Sequence, residues 1–153
     1  MWTKSKSLML SIFCTRLFLV LLVAGVIFAP QIVAWYFGES PDAQAIHLAF
    51  RITIYCCAVP GLFLLLCLHR LLRNLRRERV FEQENVTLLR AISWLCIAVG
   101  VVTLVSGFYY TSFFLVAAAA AFCGLIVRVV KNVFEQAIEI KTENDYTICR
   151  HGR

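Results

Sequence analysis

Acidic side chains are absent from every long apolar run of this chain. Proton-coupled transporters commonly depend on an Asp or Glu within the membrane, where it trades a proton for a substrate. The absence therefore counts against a proton-driven pump of this size. No C-x-x-C pair occurs, so a thiol-redox centre or a structural zinc site has little support. There is also no Ser/His/Asp set, no His cluster at metal-ligand spacing and no phosphate-binding Gly loop. The hydrophilic segments are too short to build such a site, so no enzyme activity, metal or cofactor is expected.

What is present is apolar. Of 153 residues, 61% are apolar, aromatic or Cys, against roughly 45–50% apolar in a soluble domain. Folded in water, the chain would expose far more apolar surface than soluble monomers do. The formal charge of +6 raises nucleic acid as a partner, but the basic residues flank apolar runs instead of gathering on one folded face. Direct nucleic-acid binding is not expected. The cysteines Cys14, Cys56, Cys57, Cys67, Cys96, Cys123 and Cys149 fall in apolar runs or in segments assigned to the cytoplasm. They read as small buried apolar residues.

Four runs are long enough to cross a bilayer: 17–37, 45–68, 91–110 and 113–134. The first spans about 31 Å as a helix, matching a hydrocarbon core of about 30 Å. It is too long for the core of a signal peptide, and Pro30 follows the small Ala29, so a retained anchor is the better reading. Of the 15 Lys and Arg, only Arg51 lies away from the side shared by the N-terminus, the middle loop and the tail. The positive-inside rule makes that side cytoplasmic. The expected fold is all-α: a single four-helix transmembrane bundle over 1–153 with short outer loops, a cytoplasmic loop at 69–90 and a cytoplasmic tail at 135–153. The expected place is a bacterial inner membrane, with both termini in the cytoplasm.

Packing is legible in part. Ser93, Cys96, Gly100, Thr103 and Gly107 form a small face on the third span, answered by Ala117, Ala121 and Gly124 on the fourth. Such stripes let helices approach closely in lipid, so these two spans should form a tight hairpin. The second span should continue beyond the membrane as a basic amphipathic helix, with Leu68, Leu71, Leu72 and Leu75 on one face. Its Arg70, Arg73, Arg76 and Arg77 suit anionic headgroups, each contact contributing about 1 kcal/mol near the surface. A turn near Phe81 then begins the third helix. The tail should start as helix, turn at Glu143-Asn144-Asp145 and end extended at Tyr146-Thr147-Ile148.

Three polar residues stand inside the runs: His47, Arg51 and Arg128. Either Arg51 snorkels outward to Glu39, Asp42 or lipid phosphate, or it joins His47, one turn away, in binding an anionic solute. Arg128 reads as snorkelling, with a bundle-facing position as the alternative.

Two stretches, 80–90 and 134–148, resemble a bacterial membrane family known as domain of unknown function 2975. Phe81, Glu84, Asn85, Val86, Leu89 and Arg90 match its Phe-Thr-x-Glu-Asn-Val-x-x-Leu-Arg-like stretch. Glu139, Ile140, Glu143, Asn144, Asp145, Thr147 and Ile148 match its Glu-Leu-x-x-Glu-Asn-Asp-x-Thr-Val-like tail. Glu82 departs from the pattern, standing where the family tends to have a Thr that caps the helix. The resemblance implies four spans and no established activity. Members are often encoded beside small helix-turn-helix regulators, which implies a non-enzymatic regulatory protein that docks a cytoplasmic partner through these two motifs. A small transporter or permeability factor for an anionic solute is the alternative. The expected partners are anionic lipid headgroups, a cytoplasmic protein and, as an open alternative, a second copy of the chain.

Overall fold

The computed structural model describes residues 4–38, 44–77 and 79–151, with side chains described within 7–36, 44–77 and 79–144. Its elements are α1 (Lys4–Phe37), α2 (Gln44–Arg76), α3 (Gln83–Ser106) and α4 (Ser112–His151). All four are long and apolar enough to cross a membrane. Neighbours in sequence are neighbours in space: α1 packs on α2, α2 on α3, and α3 on α4. Helix α1 therefore sits at the edge, while α2, α3 and α4 converge around Leu71, Leu89, Ile92 and Cys96. Val127 and Phe134 of α4 reach that cluster, as do Leu64, Cys67, Leu68 and Leu75 of α2. The cluster lies toward the basic end of the bundle; the opposite end is aromatic.

The α3–α4 hairpin forms as its small faces predict. Ser93, Cys96, Gly100 and Thr103 are buried on α3, and Ala117 and Gly124 on α4, whereas Ala121 stays at the exposed margin of the seam. The Ser93 hydroxyl donates to the Gly124 carbonyl at 3.0 Å. A Cβ on Gly124 would stand 3.3 Å from Cys96 Cβ and 3.4 Å from the Ser93 carbonyl oxygen. A side chain here would have to push one of these neighbours aside, so glycine favours this approach.

Several helix limits differ from expectation. Helix α1 begins at Lys4, about three and a half turns before its apolar run. It ends at Gly38, whose φ of 70° is the left-handed closure glycine favours. Helix α3 stops at Ser106, not Tyr110, and residues 107–109 form a turn; a Cβ added to Gly107 would stand 2.8 Å from the Phe114 ring. The larger correction concerns the tail. The predicted turn at Glu143-Asn144-Asp145 and the extended 146–148 segment are both helix, continuous within the 40 residues of α4. No Gly or Pro interrupts the chain after Gly124 until Gly152. A helix already nucleated in the membrane extends at little further cost, and it outweighs the weak turn preference of Asn and Asp. The cysteines also divide differently: Cys96 is buried, but Cys56 and Cys123 are exposed on outer helix faces.

Candidate functional site

The basic end is built around the α2–α3 connection. Asn74 occupies the position one turn beyond Leu71, on the apolar face of the basic helix extension, and is buried there. It reaches Asn85, which has no exposed surface at all. Asn74 Nδ2 donates to Asn85 Oδ1 at 3.1 Å. Asn85 Nδ2 in turn donates to the carbonyls of Arg79 at 2.6 Å and Val80 at 2.9 Å. The Asn85 amide thereby holds the 79–80 backbone against the start of α3.

Charges frame this pin. Arg70 Nη2 lies 2.7 Å from Glu84 Oε1, tying α2 to α3. Glu82 is the N-cap residue of α3 but makes no side-chain cap hydrogen bond. Its carboxylate accepts from Arg79 Nε at 2.7 Å instead. The departure from Thr thus replaces a cap with a local ion pair. On the other side, Glu135 of α4 meets Lys131 at 2.7 Å and Arg90 of α3 at 3.9 Å. The hydrogen bond from Lys131 holds the Glu135 carboxyl below the usual carboxylate range, with the charges of Lys131 and Arg90 adding to it.

The two sequence motifs meet here. Lys141 of α4 stands over the Phe81 ring, 5.8 Å from its centroid. Gln83 of α3 faces Glu135, Ile138, Glu139, Thr142 and Glu143 of α4 across an open groove of about 490 Å³. The expected motif residues separate into two groups. Asn85 and Leu89 are buried and hold the turn and the core together, so neither offers a surface to a partner. Phe81, Glu139, Glu143 and Asn144 are exposed, as is the ion-paired Arg90. Glu84 is taken up by Arg70. The side chains of Asp145 and Thr147 lie outside the described residues.

Among the four arginines expected on headgroups, Arg70 is diverted to Glu84, while Arg73, Arg76 and Arg77 are exposed. Arg128 is exposed on α4 and does not enter the helix seams.

The aromatic end carries a polar knot that the sequence did not signal as a unit. Thr53 and Ser106, both buried, share a hydrogen bond of 2.8 Å between α2 and α3. The Tyr109 hydroxyl joins Thr53 and donates to the Ala49 carbonyl at 3.2 Å. Phe50 packs against Tyr110 at 5.3 Å and against Phe113 of α4 at 4.9 Å between ring centroids. Tyr36 and Tyr110 hydroxyls meet at 3.2 Å, bringing α1 to the same end. Arg51 is half-buried, and its Nε is buried without a hydrogen-bond partner among the described residues. Glu39 and Asp42, its expected outer partners, lie outside the described residues. Among the described residues no group of three or more His, Cys, Asp or Glu side chains is placed to hold a metal ion.

Helical periodicity held the signal for Asn74, since an Asn on an apolar stripe calls for a buried partner. Nothing comparable marked Thr53 or Ser106, because hydroxyls in a membrane helix bond their own backbone equally well.

No curated protein and no solved structure matches the chain. A family described as a protein of unknown function (DUF2975) matches residues 33–148, three of the four helices and both motifs at the basic end. The chain therefore belongs to the DUF2975 family.

Proposed function

We propose that the chain is a multi-pass protein of a bacterial inner membrane, with its basic end in the cytoplasm, and that it works without catalysis by docking a cytoplasmic protein there. One observation carries this reading: the two motifs are brought onto one groove, with Gln83 on one wall and Glu135, Ile138, Glu139, Thr142 and Glu143 on the other. Glu139 and Glu143 recur one turn apart and are exposed, so the groove favours a partner segment rich in Lys or Arg. A small helix-turn-helix regulator of the kind implied by the family resemblance has that chemistry. The long α4 supports this role, since its 40 residues extend about 60 Å and a bilayer core takes only about 30 Å of them.

The test is site-specific photocrosslinking in cells. A photoreactive residue at Thr142 should yield a discrete protein adduct, and one at Phe108 should not. Charge reversal of Glu139 and Glu143 to Lys should remove the adduct while membrane insertion is unchanged. An adduct that survives the reversal would refute docking through the groove.

The alternative, passage of an anionic solute, rests on the buried Nε of Arg51, which has no hydrogen-bond partner among the described residues. Arg51→Ala should abolish anion flux in reconstituted vesicles under that reading and leave the Thr142 adduct intact.

A further inference from the structure

A second site lies at the basic end of the α1–α2 seam, away from the groove and the Asn pin. Thr15, Arg16 and Leu19 of α1 and Leu65, Leu66 and His69 of α2 enclose a cleft of about 160 Å³. By the volume water occupies in the liquid this holds about five waters, well below the roughly 300 Å³ where drug-sized sites begin. A compact polar group fits; a large solute does not.

The walls are ordered by polarity. Because α1 and α2 run antiparallel, Leu19 lies one turn deeper than Arg16, and Leu65 and Leu66 one turn deeper than His69. Arg16 is the last charge before the charge-free run 17–37, and His69 directly follows the run 45–68. The cation and the imidazole thus stand at the edge of the apolar zone, with leucines below them. His69 Nδ1 is buried and has no hydrogen-bond partner among the described residues. The Thr15 hydroxyl donates to the Ser11 carbonyl at 2.8 Å. Arg70, the next residue, is occupied by Glu84 on the far side of α2. One turn beyond His69, Arg73 is exposed, so positive charge continues from the cleft toward the basic end.

We infer that this cleft binds the phosphate of an anionic diacyl phospholipid. Arg16 and His69 contact the phosphate, and one acyl chain runs along Leu19 and the exposed Leu66. A phosphate oxygen pairs with the Arg16 guanidinium beside the His69 imidazole, while the deeper leucines match the chain attached to it. A soluble phosphate would gain the polar contacts only. The inference rests on the helices spanning a bilayer, and it is independent of which side is cytoplasmic and of any docked protein.

The full chain, purified in detergent, is titrated with phosphatidylglycerol and bound lipid is counted by native mass spectrometry. One tightly held lipid is expected. R16Q combined with H69L should weaken it roughly tenfold, through loss of one positive charge and of the imidazole contact. K131Q combined with K141Q, on α4 and away from the α1–α2 seam, should leave the affinity within about twofold of wild type. Equal losses in the two pairs would overturn the cleft in favour of a diffuse basic surface. Displacement by millimolar inorganic phosphate would overturn the lipid assignment. As a readout independent of variant folding, a photoreactive residue at Leu66 in the otherwise unchanged chain should crosslink phosphatidylglycerol in vesicles. Failure to crosslink in a chain that resists carbonate extraction refutes the site alone, whereas extraction by carbonate refutes membrane insertion.

Discussion

Asn85→Ala offers the sharpest test of how the basic end is held. The substitution deletes three hydrogen bonds, to the carbonyls of Arg79 and Val80 and from the Asn74 amide. Each is worth about 1 kcal/mol net, and a buried group left without a partner adds roughly 1 kcal/mol more. Asn74 is the group so stranded, being 6% exposed. The expected loss is about 3–4 kcal/mol. Asn74→Ala removes one bond and strands Asn85 Oδ1, for roughly 2 kcal/mol. The two share a single bond, and the double variant strands neither amide, so it should fall short of the sum by about 2–3 kcal/mol. Asn85→Asp should cost at least as much as Ala, because a carboxylate can only accept and would face two carbonyl oxygens. Reversible unfolding in mixed detergent micelles, followed by far-ultraviolet circular dichroism, measures all four. An Asn85→Ala loss under about 1 kcal/mol would refute the pin, as would strict additivity with Asn74→Ala.

Two further perturbations probe the helix seams. Gly124→Leu should cost about 1–3 kcal/mol through overpacking, since the first added carbon already stands 3.3 Å from Cys96 Cβ. A cysteine pair engineered across α3 and α4 should then crosslink more slowly; unchanged crosslinking would show that the seam has slack. Lys131 holds Glu135 below the usual carboxylate range, so its contribution to stability is full above the unfolded value of about 4.3 and fades as pH falls through the lower folded value. Carboxyl carbon NMR should find the Glu135 midpoint below about 4.3, and Lys131→Gln should raise it. A midpoint indifferent to Lys131 would refute the pairing.

The sequence by itself determined the class of this protein. Apolar runs of bilayer length, acid-free interiors and basic flanks are one-dimensional properties, and lipid as solvent converts them directly into helices. The α3–α4 seam was equally legible, because Ser93, Gly100, Ala117 and Gly124 recur at helical spacing and small residues have one evident use in membrane packing. Both motifs were visible too, but their roles were not. Asn85 and Glu139 read alike as polar residues in matched stretches, yet one is sealed inside and the other exposed. That distinction depends on α2 and α3 meeting in three dimensions.

Tertiary structure alone decided the rest. The tail helix outran its turn-forming Glu143-Asn144-Asp145 because a helix forty residues long is governed by propagation, not by local preference. The Thr53–Ser106–Tyr109 knot and the Arg16–His69 cleft join residues more than fifty positions apart. No periodicity within one helix records which face of another will lie against it. Spacing along a chain fixes the face a residue occupies on its own helix, and only packing supplies the chemistry opposite.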